Sequence, residues 1–135
     1  MNILLDTNVL ISAFIGHGTC HEVFEHVAIE HCLIASDYIL DEFADTMVEK
    51  FGFTRREATD AGDVIRLRAE IVEPASVRLR RKIDPDDLPV LGTAVAAGCD
   101  CIITGDKELL RLACVGAIPI LAPADFWEWE ARNQG

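Results

Sequence analysis

Asn2-Ile3-Leu4-Leu5-Asp6-Thr7-Asn8-Val9-Leu10 is the stretch that decides the fold. Its apolar run does not alternate with polar residues, which is the pattern of a strand covered on both faces. The run is closed by Asp6, a carboxylate with no cationic neighbour in sequence. Thr7-Asn8 can then cap a helix through about Gly16. A buried strand passing straight into a helix is the opening of a βαβ unit, whose crossover is right-handed.

The rest of the chain repeats that alternation. A helix is predicted from Thr19 to His31, with Val23, Phe24, Val27 and Ala28 on one stripe, and a second strand from Cys32 to Ala35. Ser36 or Asp37 caps a helix whose Ile39, Leu40, Phe43, Ala44, Met47, Val48 and Phe51 recur at 3.6-residue spacing. Gly52 stops it, as a glycine after the last turn should. Thr54 caps a further helix through roughly Ala69, and Glu70 to Glu73 forms a short strand ended by Pro74. The next helix starts near Asp86, tolerates Pro89 in its first turn and ends at Gly98. Cys101 to Thr104 is a strand, Lys107 to Leu112 a short helix, and Ile118 to Leu121 a last strand. Pro123 opens a terminal helix carrying Phe126, Trp127 and Trp129. Strands alternating with helices imply a mostly parallel sheet of four or five strands in a three-layer α/β/α arrangement. At 135 residues, half of them hydrophobic, residues 1–135 are expected to form a single domain.

Bulk properties narrow the function. No apolar run approaches the ~20 residues of a membrane span, and the start of the chain lacks the basic region of a signal peptide. A cytoplasmic protein without a membrane association is expected. The five cysteines are odd in number and follow no disulfide framework. Cys99 and Cys101 have one residue between them, whereas zinc-binding pairs usually have two to four. A net charge of −11 counts against a polyanionic partner. The exception is a compact basic run, Arg78-Leu79-Arg80-Arg81-Lys82, just before Asp84-Pro85-Asp86-Asp87.

In open parallel sheets, ligands bind beyond the carboxyl ends of the strands. Asp6 follows the first strand, Asp106 follows the strand ending at Thr104, and Asp84, Asp86 and Asp87 precede the helix between them. Clustered carboxylates repel one another and call for a cation. A hard divalent ion such as magnesium takes oxygen ligands of this kind, and such a site suits metal-assisted cleavage of a phosphodiester. Spacing alone leaves the choice among Asp84, Asp86 and Asp87 open. On a helical wheel Glu42 lies opposite the apolar stripe, with Asp41, Asp45 and Glu49, so a solvated face is its default. His17, His21, His26 and His31 all fall in or beside the second helix, away from the acids, and are expected at the surface.

These residues resemble, in order, the motifs of the PIN-domain family. Asn2 to Leu10 is similar to its first motif, an apolar strand closed by Asp-Thr-Asn. Ser36 to Phe43 is similar to the second, with a glutamate one turn into a helix. Asp84 to Leu91, continuing to Ala94, resembles the third, and Ile102 to Leu110, a strand ending in Thr-Gly-Asp, the fourth. Pro-Ala-Asp-Phe at Pro123 to Phe126 extends the likeness over nearly the whole chain. No single motif is specific, whereas four in order are.

Within the family the chain most resembles VapC-like toxins of prokaryotic toxin–antitoxin pairs. The resemblance implies a magnesium- or manganese-dependent endoribonuclease whose metal ligands are Asp6, Glu42, Asp87 and Asp106. It selects Asp87 from its neighbours and sets Glu42 against the wheel reading. It gives Asn8 and Thr104 the task of orienting the carboxylates, and makes a water the nucleophile. A homodimer and an antitoxin protein are implied partners, with RNA as substrate. The rival is a non-catalytic PIN-like or receiver-like switch module. A receiver needs a phosphoacceptor aspartate after a middle strand, and neither the Cys32–Ala35 nor the Glu70–Glu73 segment supplies one in the right company.

Overall fold

The computed structural model describes residues 1–134. Strand β1 (Asn2–Leu5) lies at the centre, parallel to β2 (Cys32–Ala35) on one side and to β4 (Cys101–Ile103) on the other. Beyond β2 comes β3 (Ala69–Ile71), and beyond β4 come β6 (Ile118–Leu121) and β5 (Cys114–Val115), giving the order β3-β2-β1-β4-β6-β5. All pairings are parallel except β5 with β6. The chain winds outward from β1 through β2 and β3, then returns to the other side at β4. The topological switch point therefore falls between β1 and β4.

The sheet has six strands rather than four or five. The extra one, β5, is two residues long, joined to β6 by a hairpin through Gly116 at φ 58°. Two residues are too few to show any periodicity. The third strand also begins and ends earlier than expected, at Ala69 and Ile71.

Among the described residues seven α-helices accompany the sheet: α1 (Thr7–Ile15), α2 (Thr19–Glu30), α3 (Asp37–Phe51), α4 (Arg55–Arg68), α5 (Leu88–Ala96), α6 (Lys107–Leu112) and α7 (Phe126–Asn133). Asp6, not Thr7 or Asn8, caps α1, accepting from the Thr7 N–H at 2.8 Å. Ser36 caps α3, and Gly52 ends it in the left-handed region at φ 72°. Thr54 and Glu57 form a reciprocal capping box on α4. The apolar residues of β1, β2 and β4 are buried in succession, not alternately, because helices cover both faces. Among the described residues no helix is long and apolar enough to cross a membrane. All five cysteines are free thiols.

The expectation of four surface histidines fails at the second helix. The His31 side chain is only 2% exposed, and both it and His26 hydrogen-bond to Glu130. The reason is tertiary: α7 folds back over the end of α2, a contact between residues about a hundred positions apart.

One close approach fixes the segment after β3. The Ala75 N–H donates to the Gly92 carbonyl at 3.0 Å, and a Cβ on Gly92 would stand 2.2 Å from the Ala75 carbonyl oxygen. Gly62 in α4 has nothing within 4 Å of the same position. Gly92→Ala should therefore destabilise by roughly 1–3 kcal/mol through overpacking, despite alanine's better helix propensity. Gly62→Ala should stabilise by about 0.5–1 kcal/mol. Urea denaturation of both variants checks the pair, and equal shifts would refute the close approach.

Candidate metal centre

Asp6 leaves the carboxyl end of β1 only 4% exposed. Its backbone N–H extends the β1–β4 pairing by donating to the Ile103 carbonyl at 2.9 Å. Two donors hold its carboxylate. The Thr7 N–H reaches Oδ1 at 2.8 Å, and the Thr104 hydroxyl reaches Oδ2 at 2.7 Å. Thr104, fully buried, also accepts from the Asp106 N–H at 3.0 Å, so one hydroxyl ties together the acids that follow β1 and β4. Asp106 Oδ1 accepts from the Glu108 N–H at 2.8 Å and caps α6.

Glu42 stands in the second turn of α3. The Thr7 hydroxyl donates to its Oε1, which draws it to the rim of the site rather than into solvent. The helical wheel placed Glu42 with Asp41, Asp45 and Glu49, and those three are exposed. Glu42 differs because α3 starts at the carboxyl end of β2, next to β1, so its first turns overhang Asp6.

The acidic turn before α5 separates into distinct roles. Asp84 caps the turn, accepting from the Asp86 N–H at 2.9 Å. Asp86 is exposed, and its carbonyl accepts from the Tyr38 hydroxyl at 2.7 Å, which ties the turn to α3. Asp87 alone of the three is partly buried, and it senses Asp6, Asp106, Asp84 and Glu42 electrostatically.

Four elements thus bring Asp6, Glu42, Asp87 and Asp106 to one edge of the sheet. Among the described residues no lysine, arginine or histidine forms an ion pair with any of them. Burial, followed by the neighbouring negative charges, pushes Asp87 from 3.8 up to about 7. Burial also raises Asp6, against the pull of Thr104 and Thr7, and it raises Glu42 against the pull of Thr7. Uncompensated repulsion of this kind is what a bound cation relieves.

The donor set consists of carboxylate oxygens, which suits magnesium or manganese and not a soft metal. Among the described residues no three of these acids bring one oxygen each within 4.8 Å of one another. Magnesium commonly keeps several waters and takes only one or two carboxylates directly, so it does not require three converged oxygens. A groove of about 200 Å³, lined by Asn8, Ser12, Cys20, Gly105, Asp106 and Pro123, runs beside the acids.

A family model described as the PIN domain matches residues 2–108. The chain belongs to the PIN-domain family. Its fold is similar to that of VapBC2 from Rickettsia felis, solved bound to a DNA fragment from its promoter. That match has TM-score 0.67 and 17% identity, over 89% of this chain and 97% of the other. It is also similar to VapBC-1 from nontypeable Haemophilus influenzae, with TM-score 0.66 and 18% identity, over 92% and 99% of the two chains. No curated protein gives a significant match.

Against this PIN fold, the residues expected to orient the carboxylates part company. Thr104 holds Asp6. Asn8 is exposed along the groove, and among the described residues its side chain makes no hydrogen bond to the acids. Thr7 is the polar residue that sequence reasoning left as a helix cap. Only the apposition of α1 and α3 reveals its bond to Glu42.

The raised acids give a stability signature with a definite sign. A group whose folded pKa lies above its unfolded value binds a proton preferentially in the folded state. Its contribution is fully present below the unfolded value and is lost as pH rises through the folded one. For Asp87 that window runs from 3.8 to about 7, and Asp6 and Glu42 shift the same way. In chelator, the melting temperature should therefore fall between pH 5 and 7.5. Asp87→Asn should flatten that fall and melt a few degrees higher at pH 7.5. A melting temperature that is level or rising over this interval in the parent protein would contradict the charge cluster.

Proposed function

We propose that this chain is a magnesium- or manganese-dependent endoribonuclease, acting as the toxin of a toxin–antitoxin pair. The observation that carries this reading is the convergence of Asp6, Glu42, Asp87 and Asp106 at the β1–β4 switch point, with no ion-pair partner among the described residues. Asp6, Glu42, Asp87 and Asp106 would hold a divalent ion, which would supply an activated water and positive charge for phosphodiester cleavage. The chain's own residues supply position. Thr104 and the Thr7 N–H fix both oxygens of Asp6, so the carboxylate presents one orientation. The Thr7 hydroxyl does the same for Glu42. Tyr38, by holding the 84–87 turn, sets the height of Asp87 above the strand ends.

The substrate assignment rests on the rim of the site. Arg81 donates to the Arg111 carbonyl at 2.8 Å, which places the basic run against α6, the helix that begins immediately after Asp106. Arg81, Lys82 and Arg111 line one depression there together with Glu108. In a chain of net charge −11, this is a local concentration of cations on the helix that follows Asp106, suited to an RNA backbone. VapBC complexes among the similar structures support an antitoxin protein as partner. A homodimer and a cytoplasmic location follow the same resemblance.

A mixed single-stranded RNA pool, incubated with magnesium, with manganese and with chelator, tests the reading. Metal-dependent cutting is expected, and Asp6→Asn should reduce it by more than ~100-fold, beyond the usual effect of removing an orienting partner. Thr104→Val should cost about 10–100-fold, since it removes one hydrogen bond to a ligand but no ligand. Equal cutting by the parent and Asp6→Asn would overturn the mechanism. Metal binding without any cutting would favour a non-catalytic module.

A further inference from the structure

We propose that His26, His31 and Glu130 form a second metal site, for a divalent transition ion of the zinc class. It lies at the opposite edge of the sheet from the acids, where β1 and β2 begin. Both imidazole Nε2 atoms point at one oxygen, Glu130 Oε2, from 2.5 and 2.6 Å. Among the described residues this is the one group of three or more potential ligands whose donor atoms all lie within 4.8 Å of one another.

The donor set is of a different class from the acidic quartet. Two imidazoles and a carboxylate suit zinc, nickel or copper, whereas magnesium prefers oxygen alone. Metal–ligand bonds of about 2.0–2.2 Å in a tetrahedral arrangement put donors ~3.3 Å apart. Glu130 therefore needs to withdraw by less than ~1 Å to admit an ion between itself and the rings. The site is sheltered but not sealed. The His31 side chain is 2% exposed and Glu130 13%, while His26 is 29% exposed and leaves a face open for a fourth, water ligand. Phe126 and Trp127 pack edge-on against His26, with centroids at 6.0 and 5.0 Å, and Phe126 also packs against His31. Such an apolar wall excludes competing waters.

The remaining ring nitrogen of His31, Nδ1, lies 3.3 Å from the Met1 nitrogen. Two of the three ligands are close in sequence and the third is on α7. The ion would pin the last helix, α7, to α2 and its C-cap residue His31, which gives it a structural role.

Tag-free protein, stripped with chelator and held in excess magnesium, tests the site by calorimetric titration with zinc chloride. One equivalent should bind in the micromolar range or tighter and raise the melting temperature. His26→Ala and Glu130→Gln should each weaken binding by more than ~100-fold, while Asp6→Asn leaves it unchanged. In the parent protein, zinc should shift the ring nitrogen resonances of His26 and His31 and leave those of His17 and His21 in place, a readout that depends on no variant. Binding no tighter than millimolar in the parent protein, parent-like binding in either variant, or unmoved His26 and His31 rings would each overturn the proposal.

Discussion

The carboxylate of Asp6 is buried at the end of the central strand, and the arrangement around it follows from the need to compensate that charge. Without a cation in contact, it is held by two hydrogen bonds, one from its own helix and one from Thr104 across the sheet. Hydrogen bonds to a buried ion relieve part of its desolvation but leave its field in place. Parallel pairing of β1 with β4 then delivers Asp106 to the same edge, and the helices α3 and α5 deliver Glu42 and Asp87. The fold has concentrated negative charge where the strand order reverses, which is also where an open α/β sheet has a crevice.

Energetically the site opposes the fold that carries it. Asp87, pushed to about 7 by burial first and by the neighbouring acids second, marks a cost that well-spaced surface acids would avoid. The surrounding structure tolerates this because the core beneath is continuous. Ile3, Leu4, Leu5, Ile102 and Ile103 are fully buried, as are Phe43 and Phe126. A rigid sheet fixes Asp6 and Asp106, while Glu42 and Asp87 sit on helix ends and turns secured by single side-chain bonds from Thr7 and Tyr38.

The opposite edge shows a different electrostatic solution. There Glu130 lies between two imidazoles, and its carboxyl is lowered overall because the histidine bonds outweigh burial. The acids at one edge repel, while the His–His–Glu group at the other attracts. The two edges therefore favour metals of different hardness.

By itself the sequence determined the periodicities, and through them nearly every helix and the central strands. Contiguous apolar runs and capping residues are local properties, so Asp6 at a strand end, Gly52 at a helix stop and the span Lys107–Leu112 were all legible. The ordered motifs made the PIN resemblance legible too, and that resemblance implied the four acids. What the residues alone left open was decided by contacts between distant segments. Which of Asp84, Asp86 and Asp87 is partly buried depends on the 3-10 turn that carries them, and it is Asp87. The turning of Glu42 from solvent depends on α1 lying against α3. The burial of His31 depends on a helix that begins 95 residues later, at Phe126. A helical wheel assigns faces relative to one axis, but which face meets solvent is settled by what packs there, and that is a property of the assembled chain.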